Sequence, residues 1–237
     1  MHIYVINLAR SVARRKHMSE KLAEAEATVE YLDAVEGSTI DRAMFPMAEG
    51  LSSGEVGCYL SHVSAWRRLS ESRHRSALIL EDDVVVRSEI NDLCNAFSRL
   101  PFKADLIRVS SLKKVTGMQA WPLGPYRLLI ADMHPSGSQG YWLSREGAVK
   151  LLALIGTPAR ELDKALDRCW GLNIQAFLLD PPAVYEELGS SSSISTRSTR
   201  QRPGWTARRL EGWRRRVANG RQYRQLQMQL KSRGLVE

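Results

Sequence analysis

SALILEDDVVV, residues 76–86, decides how this chain is read. The run Ser76–Leu80 is short, carries no charge and reads as a strand buried on both faces. It ends in three consecutive carboxylates, Glu81, Asp82 and Asp83, and Val84, Val85 and Val86 follow at once. A solvated acidic turn is normally set among polar residues. Here apolar segments flank it on both sides, so the charges need compensation. In an extended chain Glu81 and Asp83 point to one side and Asp82 to the other. That alternation predicts two carboxylates able to hold a hard divalent cation, at the carboxyl end of a strand, where open α/β sheets place their ligands. The competing reading is an acidic turn after an edge strand, tied to Arg73 or Arg75.

Outward from this stretch, strand and helix patterns alternate. Upstream, SSGEVGCYLSHVSAWRRL (residues 52–69) carries a capping box, Ser52 with Glu55 three residues on. Val56, Leu60, Val63, Trp66 and Leu69 then recur at helical spacing. The N-terminal run Ile3–Ile6 predicts a strand, 11–27 a basic helix, and Val29–Val35 a second strand closed by Gly37. Downstream, Ser88 can cap a helix that buries Ile90, Leu93, Phe97 and Leu100. Residues 104–109, 127–131 and 139–143 read as strands, Ser144 caps a helix ending at Gly156, and 161–170 reads as a shorter helix. IQAFLLD (174–180) reads as the last strand. The alternation predicts a layered α/β domain with a mostly parallel sheet flanked by helices. Ser190–Ser193 marks its end, dividing the chain into 1–195 and a basic, helical tail, 196–237.

Charge supports that division. The net charge is +8, yet from Arg197 to Glu237 there are 12 Lys/Arg and 2 Asp/Glu, leaving 22 basic and 24 acidic residues elsewhere. The body is near neutral and the excess is in the tail. The three cysteines, Cys58, Cys94 and Cys169, form no CxxC pair and read as buried thiols in a reducing compartment. No window approaches the roughly 20 apolar residues that span a bilayer, and the opening HIYVINL lacks the features of a leader. The expectation is a cytoplasmic protein, with or without peripheral attachment to the membrane. Gly137, Gly140 and Gly147 do not form GxGxxG, and no Walker A sequence is present, which excludes the dinucleotide and P-loop readings.

Four ordered blocks, YVINLARSVARRKHM, YLDAVEGS, SSGEVGCYLSHVSAWRRL with ALILEDDVVV, and SGSQGYWLSREGAVKLL with ELDKALDRCW and AFLLDPPAVYE, resemble glycosyltransferase family 25. These are the bacterial lipopolysaccharide-type galactosyltransferases related to collagen galactosyltransferases. The resemblance covers residues 2 to about 195. It implies a GT-A-like nucleotide-sugar-binding fold in which Glu81 and Asp83 hold Mn2+ (or Mg2+) and, with Asp82, the diphosphate of a UDP-sugar. It implies that Asn7, Leu8, Ala34, Glu36 and Gly37 lie near the nucleotide; Glu36 departs from the family's more usual aspartate. The signature pair Ser61-His62 falls in or beside the site. Arg10 and Arg14, at the start of the first helix, can meet a diphosphate. Asp163 and Asp167 share a helical face, and Asp163, at the family's recurring aspartate, is the candidate base for the acceptor hydroxyl. The implied reaction is inverting transfer of a hexose, galactose first, to a sugar of a lipopolysaccharide- or lipooligosaccharide-type glycan. The alternatives are a non-catalytic membrane- or nucleic-acid-associated protein with a degenerate transferase fold, and a metal-dependent nucleotidyltransferase or phosphodiesterase.

In the tail, Leu210, Trp213 and Val217 recur at helical spacing among arginines, with a break expected at Gly220. Such a helix suits an anionic bilayer surface that carries a lipid-linked acceptor. The competing fates are packing on the body and, less favoured, a nucleic-acid contact. Ser138–Tyr141 is expected to form part of the sugar-binding wall, with Trp142 on the opposite side of that strand in the core.

Overall fold

The structure is a computed structural model that describes residues 2–87, 89–132, 135–186 and 204–235. The Ser88 cap, the Ser190–Ser193 segment and the 195/196 boundary lie outside these. In chain order the strands and helices are β1 (His2–Asn7), α1 (Val12–Lys21), β2 (Thr28–Asp33), α2 (Ser53–Glu71), β3 (Ser76–Glu81), β4 (Val84–Val86) and α3 (Ile90–Ser98). Then come β5 (Leu106–Arg108), β6 (Gly117–Leu123), β7 (Tyr126–Ala131), β8 (Gly140–Ser144), α4 (Arg145–Ile155), α5 (Leu162–Leu166), β9 (Ala176–Asp180), β10 (Val184–Glu186) and α6 (Trp205–Ser232).

Eight strands form one sheet in the order β2-β1-β3-β8-β5-β9-β7-β6. Following the pairings across it, six strands run one way and only β8 and β7 run against them, giving the mostly parallel sheet expected. Helices cover both faces, and strand alternation sorts the side chains between two cores. Ile3, Val5, Leu78, Leu80, Ile107 and Trp142 face the core that includes α3. Tyr4, Ile6, Ala77, Ile79, Leu106 and Tyr141 face the core filled by α2, α4 and α5. Both faces of β1 and β3 are therefore buried, as their unbroken apolar runs require.

The capping box forms as expected: Glu55 N–H donates to Ser52 Oγ (3.2 Å), and Ser52 N–H donates to Glu55 Oε2 (2.8 Å). Other local expectations yield to tertiary pairing. α1 stops at Lys21 instead of Ala27, because the chain must turn back for Thr28 to pair beside His2 in a parallel ladder. Three strands join those expected: β4, β6 and β10. β6 contains Pro122, which argues against a central strand; it is the sheet edge, where the missing N–H breaks no ladder. β10 is only three residues long and pairs antiparallel with β4. α6 runs unbroken through Gly220, contrary to the expected break. Its second half seats Leu226 and Leu230 in the core beside α3, and Asn219 donates to Ala131 O at 2.7 Å. That anchoring offsets the roughly 1 kcal/mol that an interior glycine costs a helix.

Candidate functional site

β1 and β3 are parallel neighbours with Ile6 beside Glu81, so their carboxyl ends open together. The backbone does not stay extended past Glu81. Asp82 and Asp83 form the two-residue turn into β4, so the strict alternation expected of the acidic run does not hold, and all three carboxylates line one cleft. Leu8, Arg10, Arg14, Ala34, Glu36, Gly37, Ser61 and His62 line the same cleft. Asn7 sits at its floor, bonded to Asp82. The structure thus brings together every residue expected near the donor.

The three acids differ in their commitments. Both Asp82 oxygens are occupied: Asn7 Nδ2 donates to Oδ2 at 2.6 Å, and Arg14 donates to Oδ1 at 2.9 Å. Glu81 Oε1 accepts from Ser138 Oγ at 2.6 Å. Burial alone would push the Glu81 carboxyl up, but His62, Ser138 and the Arg108 charge together hold it below the usual range. Asp83 has Arg14 at 3.5 Å on Oδ2, while its buried Oδ1 has no hydrogen-bond partner. Burial first, and the Glu81 charge second, push Asp83 up to about 6, with Arg14 opposing. A surplus of buried negative charge with an orphaned carboxylate oxygen is the environment that a hard cation relieves. Asp83 and Glu81 fit that ion; Asp82 is already satisfied.

The opposite wall is built by close backbone approach. The Ala34–Gly37 turn is held to β1 by Ala34 N–H donating to Asn7 O (2.9 Å), and to α2 by Val35 N–H donating to Ser61 Oγ (2.8 Å). Ser61 in turn donates to Gly57 O at 2.7 Å, so its hydroxyl is committed to positioning this turn. Gly37 and Gly57 meet where a Cβ on either would lie within 3 Å of the other segment's backbone. Arg10 pairs with Glu36 across the mouth.

His62 is fully buried. Its Nδ1 contacts Tyr141 Oη at 2.8 Å, and Trp66 Nε1 donates to the same oxygen at 2.8 Å. Tyr141 is therefore a buried support and not part of a sugar-binding wall, because its hydroxyl faces the α2 core. Trp142 lies in the opposite core, as expected. Cys94 and Cys169 are buried, but Cys58 is only partly buried: it packs against the α2 core and also lines the cleft, which corrects its reading as a fully buried thiol.

Asp163, on α5, is half-buried and does not line this cleft; the Cys58 thiol is raised well above its usual range by burial first and then by the charges of Glu81, Asp163 and Asp83. Asp167, expected to share the face of Asp163, is instead committed to a buried ion pair with Arg108 at 3.0 Å. Arg108 also donates to Ser136 O (3.1 Å) and Gly137 O, fixing the segment that presents Ser138 to Glu81. Arg108 is not singled out by sequence, since a strand Arg carries no local signal; Ser138 was expected in a sugar-binding wall, but its bond to Glu81 had no signal in the sequence. Cys58 does have one, its i, i+4 spacing from His62 on one helical face.

The description glycosyltransferase family 25 (LPS biosynthesis protein) matches residues 1–120. A glycosyltransferase 25 family member of Drosophila pseudoobscura pseudoobscura is 31% identical over 183 residues, 70% of this chain and 28% of that protein. A putative glycosyltransferase of Haemophilus influenzae is 29% identical over 182 residues, 70% of this chain and 61% of that protein. Procollagen galactosyltransferase 1-A of Xenopus laevis is 26% identical over 168 residues, 63% of this chain and 28% of that protein. The chain thus spans under a third of the length of the animal relatives. Among solved structures, the galactosyltransferase LgtC in complex with donor and acceptor sugar analogs matches with a TM-score of 0.41 and 13% identity, over 93% of this chain and 95% of that one.

Proposed function

Because this chain belongs to glycosyltransferase family 25, we propose that its cleft binds a UDP-sugar with Mn2+ or Mg2+ and transfers a hexose, galactose first, with inversion to a lipopolysaccharide- or lipooligosaccharide-type acceptor. The observation that carries this reading is Asp83 Oδ1, buried and without a hydrogen-bond partner among the described residues, beside Glu81. Asp83 and Glu81 would hold the cation, which when bound neutralises charge developing on the departing diphosphate. Asn7 and Arg14 lock Asp82, so the turn carrying Asp83 is held before ligand arrives. Arg10 and Arg14 supply positive charge at the mouth for a diphosphate, and the Ala34–Gly37 turn offers backbone groups to the nucleotide.

Asp163 takes the proton of the acceptor hydroxyl as its oxygen bonds to the anomeric carbon, and the anomeric bond to the phosphate oxygen breaks with its electron pair leaving on UDP. The acids at the end of β3 hold the donor, and the proton goes elsewhere. The first half of α6, where Trp205 and Trp213 are 62% and 57% exposed among arginines, meets an anionic membrane surface on the cytoplasmic side and keeps the enzyme near a lipid-linked acceptor.

The test is a thermal-shift screen of nucleotide sugars with and without Mn2+, followed by product analysis. UDP-galactose with Mn2+ should raise the unfolding temperature and UDP should be released. Asp83→Ala should abolish both effects and reduce turnover by about 100-fold or more. No uridine-nucleotide binding with Mn2+ present sinks the reading, and UMP as product reassigns the site to nucleotidyl or phosphodiester chemistry.

A further inference from the structure

Cys58 and His62 are one turn apart on α2 and face the end of β3. There Cys58 Sγ, His62 Nε2 and a Glu81 carboxylate oxygen all lie within 4.8 Å of one another. His62 is fully buried, and its Nδ1 is satisfied by Tyr141, yet its Nε2 has no hydrogen-bond partner and is aimed at Glu81. The separation from Nε2 to Glu81 Oε1 is 3.4 Å, long for a hydrogen bond. It matches two ligands on one tetrahedral ion: with metal-ligand distances near 2.0–2.1 Å, the edge between nitrogen and oxygen is about 3.3 Å.

We propose that Cys58, His62 and Glu81 form a site for a thiophilic divalent cation of the zinc class, distinct in donor set from the oxygen site of Asp83 but sharing Glu81 with it. Thiolate, imidazole and carboxylate are the ligand types that select zinc over manganese or magnesium. Three protein ligands leave a fourth position open toward the cleft. The Tyr141 hydroxyl, itself held by Trp66, orients the imidazole as outer-shell partners of metal-bound histidines do. Binding replaces the Cys58 S–H proton with the metal and releases that proton to solvent. Metal occupancy does not depend on the transferase reading. Its regulatory consequence rests on that reading: because Glu81 serves both sites, zinc inhibits transfer by competing for a residue that the donor's cation requires.

The test uses the full chain stripped of metal with chelator. Cobalt(II) should bind in one equivalent and give sulfur-to-cobalt charge-transfer absorption, and Zn2+ should displace it. Cys58→Ser should abolish that absorption, and Cys58→Ser and His62→Ala should each weaken Zn2+ by roughly tenfold or more, since loss of outer-shell partners alone costs that much. Cys94 and Cys169, buried in the cores, should give no thiolate signal. Absence of the charge-transfer band in the unsubstituted protein overturns the proposal without reliance on any variant. So does a band that persists in Cys58→Ser. Mn2+-dependent UDP-galactose binding is read separately by thermal shift: its presence without a zinc site overturns this inference alone, and a zinc site without it overturns only the transferase reading.

Discussion

Asp167 shows how an acid expected on the same helical face as the candidate base is taken up by structure. Its side chain is buried against Arg108, and burial pushes its carboxyl from 3.8 up to about 6 despite that cation. Between these values the folded protein keeps a proton that the unfolded chain has lost. Stability therefore falls as pH rises through this window, and the loss is complete above the folded value. At about 1.4 kcal/mol per unit, the loss is about 3 kcal/mol. Urea unfolding of wild type and Asp167→Asn from pH 4 to 7.5 should show the wild type losing about that much relative to the variant; pH curves that stay parallel would contradict the burial of this pair. At this scale the sequence displayed the acidic cluster, the Ser61-His62 pair and Asp163. It separated Asp82 from Asp83 only through the alternation of an extended strand, which the turn removes; what distinguishes them in the fold is distant in the chain, where Asn7 and Arg14 fill the two Asp82 oxygens while Asp83 Oδ1 keeps no hydrogen-bond partner.

Between elements, the cleft depends on how closely the Ala34–Gly37 turn approaches α2. A Cβ on Gly57 would lie 2.7 Å from Val35 O, and both partners there are backbone. Gly57→Ala should therefore destabilise the fold by about 1–3 kcal/mol, although alanine is the better helix former, and should weaken nucleotide binding as the turn shifts. Gly220 has open space around its Cβ position, so Gly220→Ala should instead gain about 1 kcal/mol. Equal effects of the two substitutions in chemical unfolding would refute the close approach. The helix containing Gly57 was legible from its capping box and apolar spacing. The edge strand β6 was not, because Pro122 is acceptable there only for want of a further neighbour, and neighbours are set by the sheet.

Across the whole molecule, α6 joins two environments. Leu226 and Leu230 lie in the core, while Trp205, Leu210 and Trp213 face outward. The membrane contact proposed for the outward half should appear as cosedimentation with vesicles containing anionic lipid. It should weaken with added salt and drop several-fold in the Trp205→Ser, Trp213→Ser double variant. Equal recovery with neutral and anionic vesicles, or an unaffected variant, would leave this half of the helix without that role. Among the described residues no helix is long and apolar enough to cross a membrane. The sequence by itself determined the layered α/β class, the helix caps, the buried strands and the acidic run at the end of β3. Those features follow from periodicity and from the cost of placing charge beside apolar chain. Only the tertiary structure decided that the acids turn into one cleft, that Ser138 and Arg108 support them, that Cys58 sits between the core and that cleft and that half of the basic helix packs inside. Each of those outcomes rests on contacts between segments far apart in the chain, where local pattern carries no information.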